Sequence, residues 1–356
     1  MTTIWKTAIT KKLGLKYPII QAPMAGGATT PELVAAVSNS GGLGSLGAGY
    51  MSPKDIRLAI QKIRQLTDKP FAVNLFIPEA HSASAEQMQK ACEAIHQCCS
   101  KFNLQIEPPS VPYTESFEEQ VNILMEEKIP VFSFTFGILE PKWITPFKAN
   151  HTLLIGTATT LAEAKVLQNS GVDMVVAQSS EAGGHRGTFI GKAEDALIKL
   201  IDLVAQLVDA IDVPVIAAGG VMNGQDIIQA IRAGASAVQM GTAFLSCPES
   251  GVHPEYKKAL LTQRQDSTTL TRAFSGKLAR GIRNSFINCM ENKKNAILDY
   301  PIQNALTSNF RKKAYENGNI EFMSLWAGQS VHLSRGVSVN KLMEQVIFEA
   351  EAPLSD

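Results

Sequence analysis

Residues 214–242 read PVIAAGGVMNGQDIIQAIRAGASAVQMGT, and this stretch decides the fold. A short apolar run over 214–218 ends in the glycine pair Gly219-Gly220. A segment of helical period covers 223–233 and stops at Gly234, and a second apolar run covers 237–241. Continuous apolar runs of this length suit strands buried on both faces. A helix between two such strands makes them parallel neighbours joined by a right-handed crossover.

The same unit recurs upstream. Gly41-Gly42, Gly171 and Gly234 each end a helix and feed a strand, in SGGLGSLG, SGVDMVVAQ and AGASAVQMG. Glycine supplies the left-handed conformation at a helix stop, so three recurrences of one device mark repeated β/α units. Eight strand candidates emerge, at 18–24, 43–47, 71–76, 130–136, 152–156, 173–178, 214–218 and 237–241, with helices between them such as 31–40, 52–65, 160–169, 194–210 and 223–233. Eight such units close a barrel, so the expected fold class is α/β, a TIM (β/α)8 barrel. The G-x-G-x-x-G spelled by Gly42, Gly44 and Gly47 is no dinucleotide fingerprint, because these glycines follow a helix and contain the strand instead of following a strand and opening a helix.

Two regions break the rhythm. Residues 77–129 exceed one crossover helix and hold a cysteine-bearing helix and the proline-rich EPPSVPY. Residues 248–330 are polar, rich in helix formers and without strand alternation, and read as a helical lid or substrate domain. The tail 338–350 reads as an amphipathic helix returning to the barrel wall. The expected organisation is a barrel over 1–247, completed by 331–356, and a lid over 248–330.

Composition narrows the function classes. Lys+Arg and Asp+Glu are both 33, giving zero net charge, which argues against nucleic acid or an anionic membrane as the main partner. No run of about 18 apolar residues exists to span a bilayer, and MTTIWKTAITKKLGLKYP carries no signal-peptide pattern. The five cysteines, Cys92, Cys98, Cys99, Cys247 and Cys289, form no C-x-x-C pair. Neither a disulfide framework nor a zinc site is expected from them, and a reducing cytoplasm fits. The histidines show no metal-ligand spacing, so no metal is expected.

Barrel active sites lie at the carboxyl ends of the strands. After the first comes Pro23, Met24, Ala25, Gly26 and Gly27, small enough for a flat ring to approach the backbone; after the third comes Asn74, polar within an apolar run. The sixth strand ends at Gln178 and leads into SSEAGGHRG, where Gly183 and Gly184 open the loop and His185 follows. Histidine titrates near neutrality, which suits proton transfer. Glu181 and Arg186 read as exposed salt-bridging residues. After the seventh and eighth strands come Gly219 and Gly220, ahead of a helix starting near Asn223, and Gln239, Met240, Gly241 and Thr242. Turns at these two places, with a helix N-terminus, form the usual phosphate site of such barrels.

Together QAPMAGG (21–27), SFTFG (133–137), EAGGHRG (181–187), AAGGV (217–221) and QMGTAF (239–244) resemble the nitronate monooxygenase family in order and spacing, and FSGKLARGIRN (274–284) and SLWAGQ (324–329) resemble its class I branch. The resemblance spans nearly the whole chain. It implies non-covalent FMN and no metal, with Asn74 and Gln178 at the isoalloxazine ring or ribityl chain. Gly183, Gly220 and Gln239–Thr242 would be at the phosphate and His185 would be the active-site histidine. It implies a small-molecule nitronate such as propionate 3-nitronate, and O2, as reaction partners, and it admits a homodimer. Tyr113, Tyr300 and Tyr315 are candidate substrate contacts. The alternative enzyme is an FMN-dependent enoyl-ACP reductase using NAD(P)H, which has a closely similar glycine–histidine loop; the alternative from another class is a flavin-binding protein without turnover.

Overall fold

A computed structural model describes residues 3–100 and 106–352. Its strands are β1 (Ile19–Gln21), β2 (Gly44–Gly47), β3 (Phe71–Phe76), β4 (Val131–Thr135), β5 (Leu153–Ala158), β6 (Met174–Gln178), β7 (Gly184–His185), β8 (Val215–Ala218), β9 (Ala237–Met240), β10 (Thr268–Thr271) and β11 (Ala279–Ile282). All but β7, β10 and β11 lie in one parallel sheet of order β1-β9-β8-β6-β5-β4-β3-β2. The sheet closes where Leu43 bridges Ile20: Leu43 N–H donates to Ile19 O and Gln21 N–H donates to Leu43 O, both at 2.9 Å. The fold is the expected TIM barrel.

Alternation along each strand explains why the runs are apolar throughout. Val131, Ile155, Val176 and Ile216 fill the barrel interior, while their neighbours Phe132, Leu154, Val175 and Ala217 pack outward against the helices. Ile9 and Leu13, from the helix Ala8–Leu13, extend the interior cluster. The repeated glycine device is present: Gly41, Gly171 and Gly234 all have left-handed backbone, with φ of 91°, 93° and 100°. Gly44, from the rejected fingerprint, is a packing residue, since a Cβ there would stand 2.0 Å from Val34 O. The tail helix Val339–Glu351 buries Val339, Leu342, Met343, Val346 and Ala350 against the helices Gly224–Arg232 and Pro31–Asn39.

The region after β9 differs from the all-helical expectation. Besides the helices Pro254–Leu261, Ser285–Glu291 and Ile302–Glu316 it contains β10 and β11, an antiparallel pair that continues onto β7. The strand β11 is only four residues long and carries Arg280 and Gly281, so no apolar alternation announces it. Its pairing places Ala279 opposite His185, which fixes the histidine loop to this excursion. The excursion has its own core, with Phe274, Phe286 and Phe310 at its centre. The cysteine-bearing helix Ala85–Cys99 of the β3–β4 insertion also packs into this core. Cys98 is disulfide-bonded to Cys289 across 191 residues of sequence, where no bridge was expected. Spacing rules detect cysteines close in sequence, and these two meet only because two separate insertions pack together.

Candidate active site

A cavity of about 960 Å3 opens at the carboxyl ends of the barrel strands, beneath the excursion. Its floor is made of strand-end turns. Pro23, Met24 and Ala25 follow β1, Asn74 lies in β3, Gln178 ends β6 and Gly183, Gly184 and His185 follow it, Gly219 and Gly220 follow β8, and Gln239, Gly241 and Thr242 lie at or beyond the end of β9. These candidates line one cavity. Met240 does not line it; its side chain is buried in the barrel wall.

The glycine turns leave donors free. The N–H groups of Gly219, Gly220, Gly241 and Thr242 donate no hydrogen bond to the described residues. Gly219 has φ of 112°, and a Cβ on it would lie 2.4 Å from Ser179 Oγ and 2.8 Å from Ala182 N, so glycine is required by both conformation and space. A Cβ on Gly183 would lie 2.5 Å from Gly328 N, which packs the histidine loop tightly on the SLWAGQ segment. Thr242 Oγ1 accepts from Gly328 N–H at 2.9 Å, so its hydroxyl ties the same segment to the floor. The helix Gly224–Arg232 presents a different picture. Asp226 accepts from Met222 and Asn223 N–H, and Glu349 from Gly224 N–H at 2.9 Å. The protein's own carboxylates occupy that helix end, and the free anion-binding donors are those of the turns.

Gln178 and Arg186 hold the histidine loop. Gln178 Nε2 donates to His185 O at 3.0 Å, and its Oε1 accepts from Gly187 N–H at 2.8 Å. Arg186 is only 1% exposed, in contrast to the surface role expected for it. It donates to the carbonyls of Ser179, Gln178 (3.0 Å) and Ala196 (3.1 Å). Burial pulls its guanidinium down to about 10, against the opposing attraction of Glu163. Glu181 likewise is structural: its Oε2 accepts from Ser179 Oγ and from Leu200 N–H at 2.8 Å, at the start of the helix Leu200–Val208.

The roof supplies what surrounds His185. Its Nε2 lies 2.8 Å from Ser275 Oγ, and its ring centroid is 5.2 Å from Trp326, 6.1 Å from Phe136 and 6.4 Å from Tyr300. Phe136 has φ of 77°, unusual for an aromatic residue, and this strained backbone turns its ring towards Phe76, His185 and Tyr300. Lys277 Nζ sits 4.3 Å over the Phe136 ring and pairs with Glu79 at 2.6 Å. Burial first, then the positive charges of Lys277 and Arg311, lower the His185 pKa to about 3. The imidazole is therefore neutral across the physiological range. Ser275 Oγ accepts from Lys277 N–H at 3.3 Å and has one proton to give, to His185 Nε2 at 2.8 Å or to Lys277 O at 3.2 Å. Either tautomer of His185 satisfies the 2.8 Å contact, since Ser275 Oγ can donate to Nε2 or accept from Nε2–H while donating to Lys277 O; Nδ1 has no partner among the described residues.

Of the candidate tyrosines, Tyr113 and Tyr315 line the cavity, and Tyr300 is buried behind it against Phe136 and His185. Sequence reasoning missed Tyr50, Ser275, Lys277, Arg311 and Trp326. Trp326 had a signal in the SLWAGQ motif, and Ser275 and Lys277 in FSGKLARGIRN; Arg311 reaches the cavity through the excursion's tertiary packing and Tyr50 from the loop after β2.

Comparison with known proteins adds an independent line. The family model described as nitronate monooxygenase matches residues 6–349. A protein of Staphylococcus saprophyticus named "Probable nitronate monooxygenase" is 45% identical over 348 residues, covering 97% of both chains. Among solved structures, a nitroalkane oxidase from Streptomyces ansochromogenes superposes with a TM-score of 0.90 at 37% identity, covering 97% of this chain and 98% of its own. FabK from Thermotoga maritima superposes less closely, with a TM-score of 0.76 at 31% identity over 97% of this chain and 96% of its own.

Proposed function

The chain belongs to the nitronate monooxygenase family and is an oxidoreductase acting on nitronates, and from that premise we propose that it binds FMN and oxidises alkyl nitronates, propionate 3-nitronate among them, with O2 to a carbonyl compound and nitrite. The observation that carries the reading is an aromatic-walled His185 lining the same cavity as a set of free backbone N–H groups. The residues fit the cofactor. The unpartnered N–H groups of Gly219, Gly220, Gly241 and Thr242 suit a phosphate, and the close-packed glycines leave room for a flat ring above β3 and β6, beside Asn74 and Gln178. Bound FMN would supply the electron-transfer chemistry between nitronate and oxygen.

The chain's own residues do the rest. The positive charge of Arg311, which lines the cavity, favours an anionic nitronate over a neutral nitroalkane, whereas that of Lys277 is paired with Glu79. In the tautomer that carries Nδ1–H, His185 donates to the nitronate oxygen while Nε2 accepts from Ser275 Oγ. Its lowered pKa makes it a poor base, so the substrate enters already ionised. Phe76, Phe136, Tyr300 and Trp326 exclude water around it.

The proposed organisation is a barrel over 1–247, completed by 331–356, with 248–330 as the roof domain, which the separate excursion core supports. The reaction partners are the nitronate and O2. A homodimer and a cytoplasmic location complete the reading; no helix among the described residues is long and apolar enough to cross a membrane.

The test is a visible spectrum of the purified protein, followed by oxygen uptake and nitrite release with propionate 3-nitronate and ethyl nitronate, without NAD(P)H. A flavin spectrum with both products supports the reading. Bound flavin without nitrite contradicts it.

A further inference from the structure

Strand β11 is tied down at both of its ends, and both ties run to the insertion between β3 and β4. Ahead of the strand, Lys277 pairs with both carboxylate oxygens of Glu79, at 2.7 and 2.6 Å. Behind it, the helix Ser285–Glu291 carries Cys289, which is disulfide-bonded to Cys98 of the helix Ala85–Cys99. Asn284 stiffens the junction between β11 and that helix. Its Oδ1 accepts from Ile287 N–H at 3.2 Å, and its Nδ2 donates to Ile320 O and Met323 O at 3.0 and 2.8 Å.

What β11 positions is the histidine loop. Ala279 lies opposite His185, and Arg280 opposite Gly184, in the ladder with β7. Ile282 N–H donates to Leu325 O at 2.8 Å, and Gly281 bridges Trp326, whose ring centroid is 5.2 Å from that of His185. A displacement of the helix Ser285–Glu291 therefore reaches His185 and Trp326 together, through one four-residue strand.

The two ties differ in kind, because only the bridge can be opened by a thiol. Cys98 is 8% exposed, whereas Cys289 is half-buried, so an attacking thiolate reaches the bridge from the Cys289 side. The seam survives opening. Ala91, Ala94 and Ile95 of one helix and Phe286, Ile287 and Met290 of the other share the excursion core, and Lys293 Nζ donates to Gln97 Oε1 at 2.6 Å. Opening thus loosens the roof without unfolding it. In the cytoplasmic location proposed above, thiol pools keep permanent disulfides rare, and a bridge that forms there is one that cycles.

We propose that the Cys98–Cys289 bridge is a redox-sensitive staple, opened by dithiols and closed by oxidised glutathione, that sets how firmly β11 holds the His185 loop and so how tightly the site binds a nitronate. The last step rests on the nitronate reading above; the staple does not. In opening, one thiolate of the dithiol attacks Cys289 Sγ, and the electron pair of the broken S–S bond leaves on Cys98 Sγ, which takes up a proton. The second thiol of the reductant then displaces Cys289 as a thiol, and the reductant leaves as its cyclic disulfide. Two electrons and two protons pass from the dithiol to the protein.

The test compares the air-purified holoenzyme with the same protein treated with dithiothreitol, desalted and kept under argon until each assay. Alkylation in denaturant followed by mass measurement should label Cys92, Cys99 and Cys247 in the first sample and all five cysteines in the second. Flavin absorbance per protein should not change. Backbone hydrogen exchange over 279–290 should quicken on reduction, and KM for propionate 3-nitronate should rise on the order of 5-fold, the low end of ordinary coupling between sites. Oxidised glutathione should reverse both. Cys289→Ser should match the reduced protein and ignore dithiothreitol; if it does not fold, the wild-type comparison suffices, since it needs no substitution. Five labelled cysteines before reduction, a bridge that dithiothreitol leaves closed, or exchange that does not change would overturn the staple. Quickened exchange with an unchanged KM would overturn its coupling to the site. Quickened, reversible exchange in a protein that turns over no nitronate in either state would leave the staple standing and sink the nitronate reading.

Discussion

The floor and the roof of the cavity are built in opposite ways. The floor presents backbone: the N–H groups of Gly219, Gly220, Gly241 and Thr242, at turns that the strands hold in place. The roof presents side chains, Arg311 and Trp326 at the cavity and Ser275 and Lys277 around His185, gathered from a strand pair, a helix and a loop of one excursion. A floor of backbone donors can hold the common part of many ligands, and a roof of side chains can choose among them. His185 belongs to both, since its loop leaves the barrel at β6 and pairs with β11 of the excursion.

This division can be broken by substitution. The largest effect is expected in the floor. Gly219→Ala puts a Cβ 2.4 Å from Ser179 Oγ and distorts the turn. FMN affinity should fall on the order of 100-fold, as when two charge-assisted hydrogen bonds are lost, while the fraction still loaded ranks substrates as the wild type does. Flavin absorbance per protein and relative kcat/KM measure the two; an altered ranking at full flavin content would mean that the floor also selects. Next in size is the strut between floor and roof. Arg186→Met leaves three buried carbonyls without their donor and should cost about 3 kcal/mol of stability, read as a lowered denaturation midpoint. A change below about 0.5 kcal/mol would show that the three bonds carry little.

Smaller effects are expected in the roof. Ser275→Ala removes the partner of His185 Nε2 and should lower kcat/KM for ethyl nitronate by about 10-fold, the worth of one hydrogen bond, with flavin content intact. Loss of flavin in this variant would erase the distinction between the regions. The smallest expected effect is none. His185 is held far below its ordinary 6.5, at about 3, by burial and by Lys277 and Arg311. Because its folded pKa is the lower one, the neutral ring's contribution is intact above pH 6.5 and declines as pH falls from there towards 3. The kcat/KM profile for a nitronate should therefore show no inflection between pH 6 and 8 from this residue. An inflection there that disappears in His185→Asn would assign it a titrating role.

The same division explains what was legible in the sequence. The barrel was readable because apolar runs and helix-stop glycines repeat with fixed chemistry, and the floor because a turn that needs glycine leaves glycine in the sequence, as at Gly219. Gln178 was readable as a strand-end residue, but its use in pinning both sides of the histidine loop was not. Arg186 misled because an arginine among glycines looks exposed, and only the fold shows three carbonyls converging on it. Ser275 sits in the quoted motif FSGKLARGIRN without its role being readable there, and Arg311 left no mark, being an ordinary polar residue whose value depends on where the excursion's core sets it. The four-residue β11 and the Cys98–Cys289 bridge escaped for the same reason, as products of packing between segments far apart in sequence.

The most direct test is made under argon. The purified flavoprotein is mixed in one cell with propionate 3-nitronate and in another with NADH, and the visible flavin band is followed. Rapid loss of the oxidised band with the nitronate, and none with NADH, is the predicted result; bleaching by NADH with no response to the nitronate would contradict it and move the enzyme to the reductases that share its barrel.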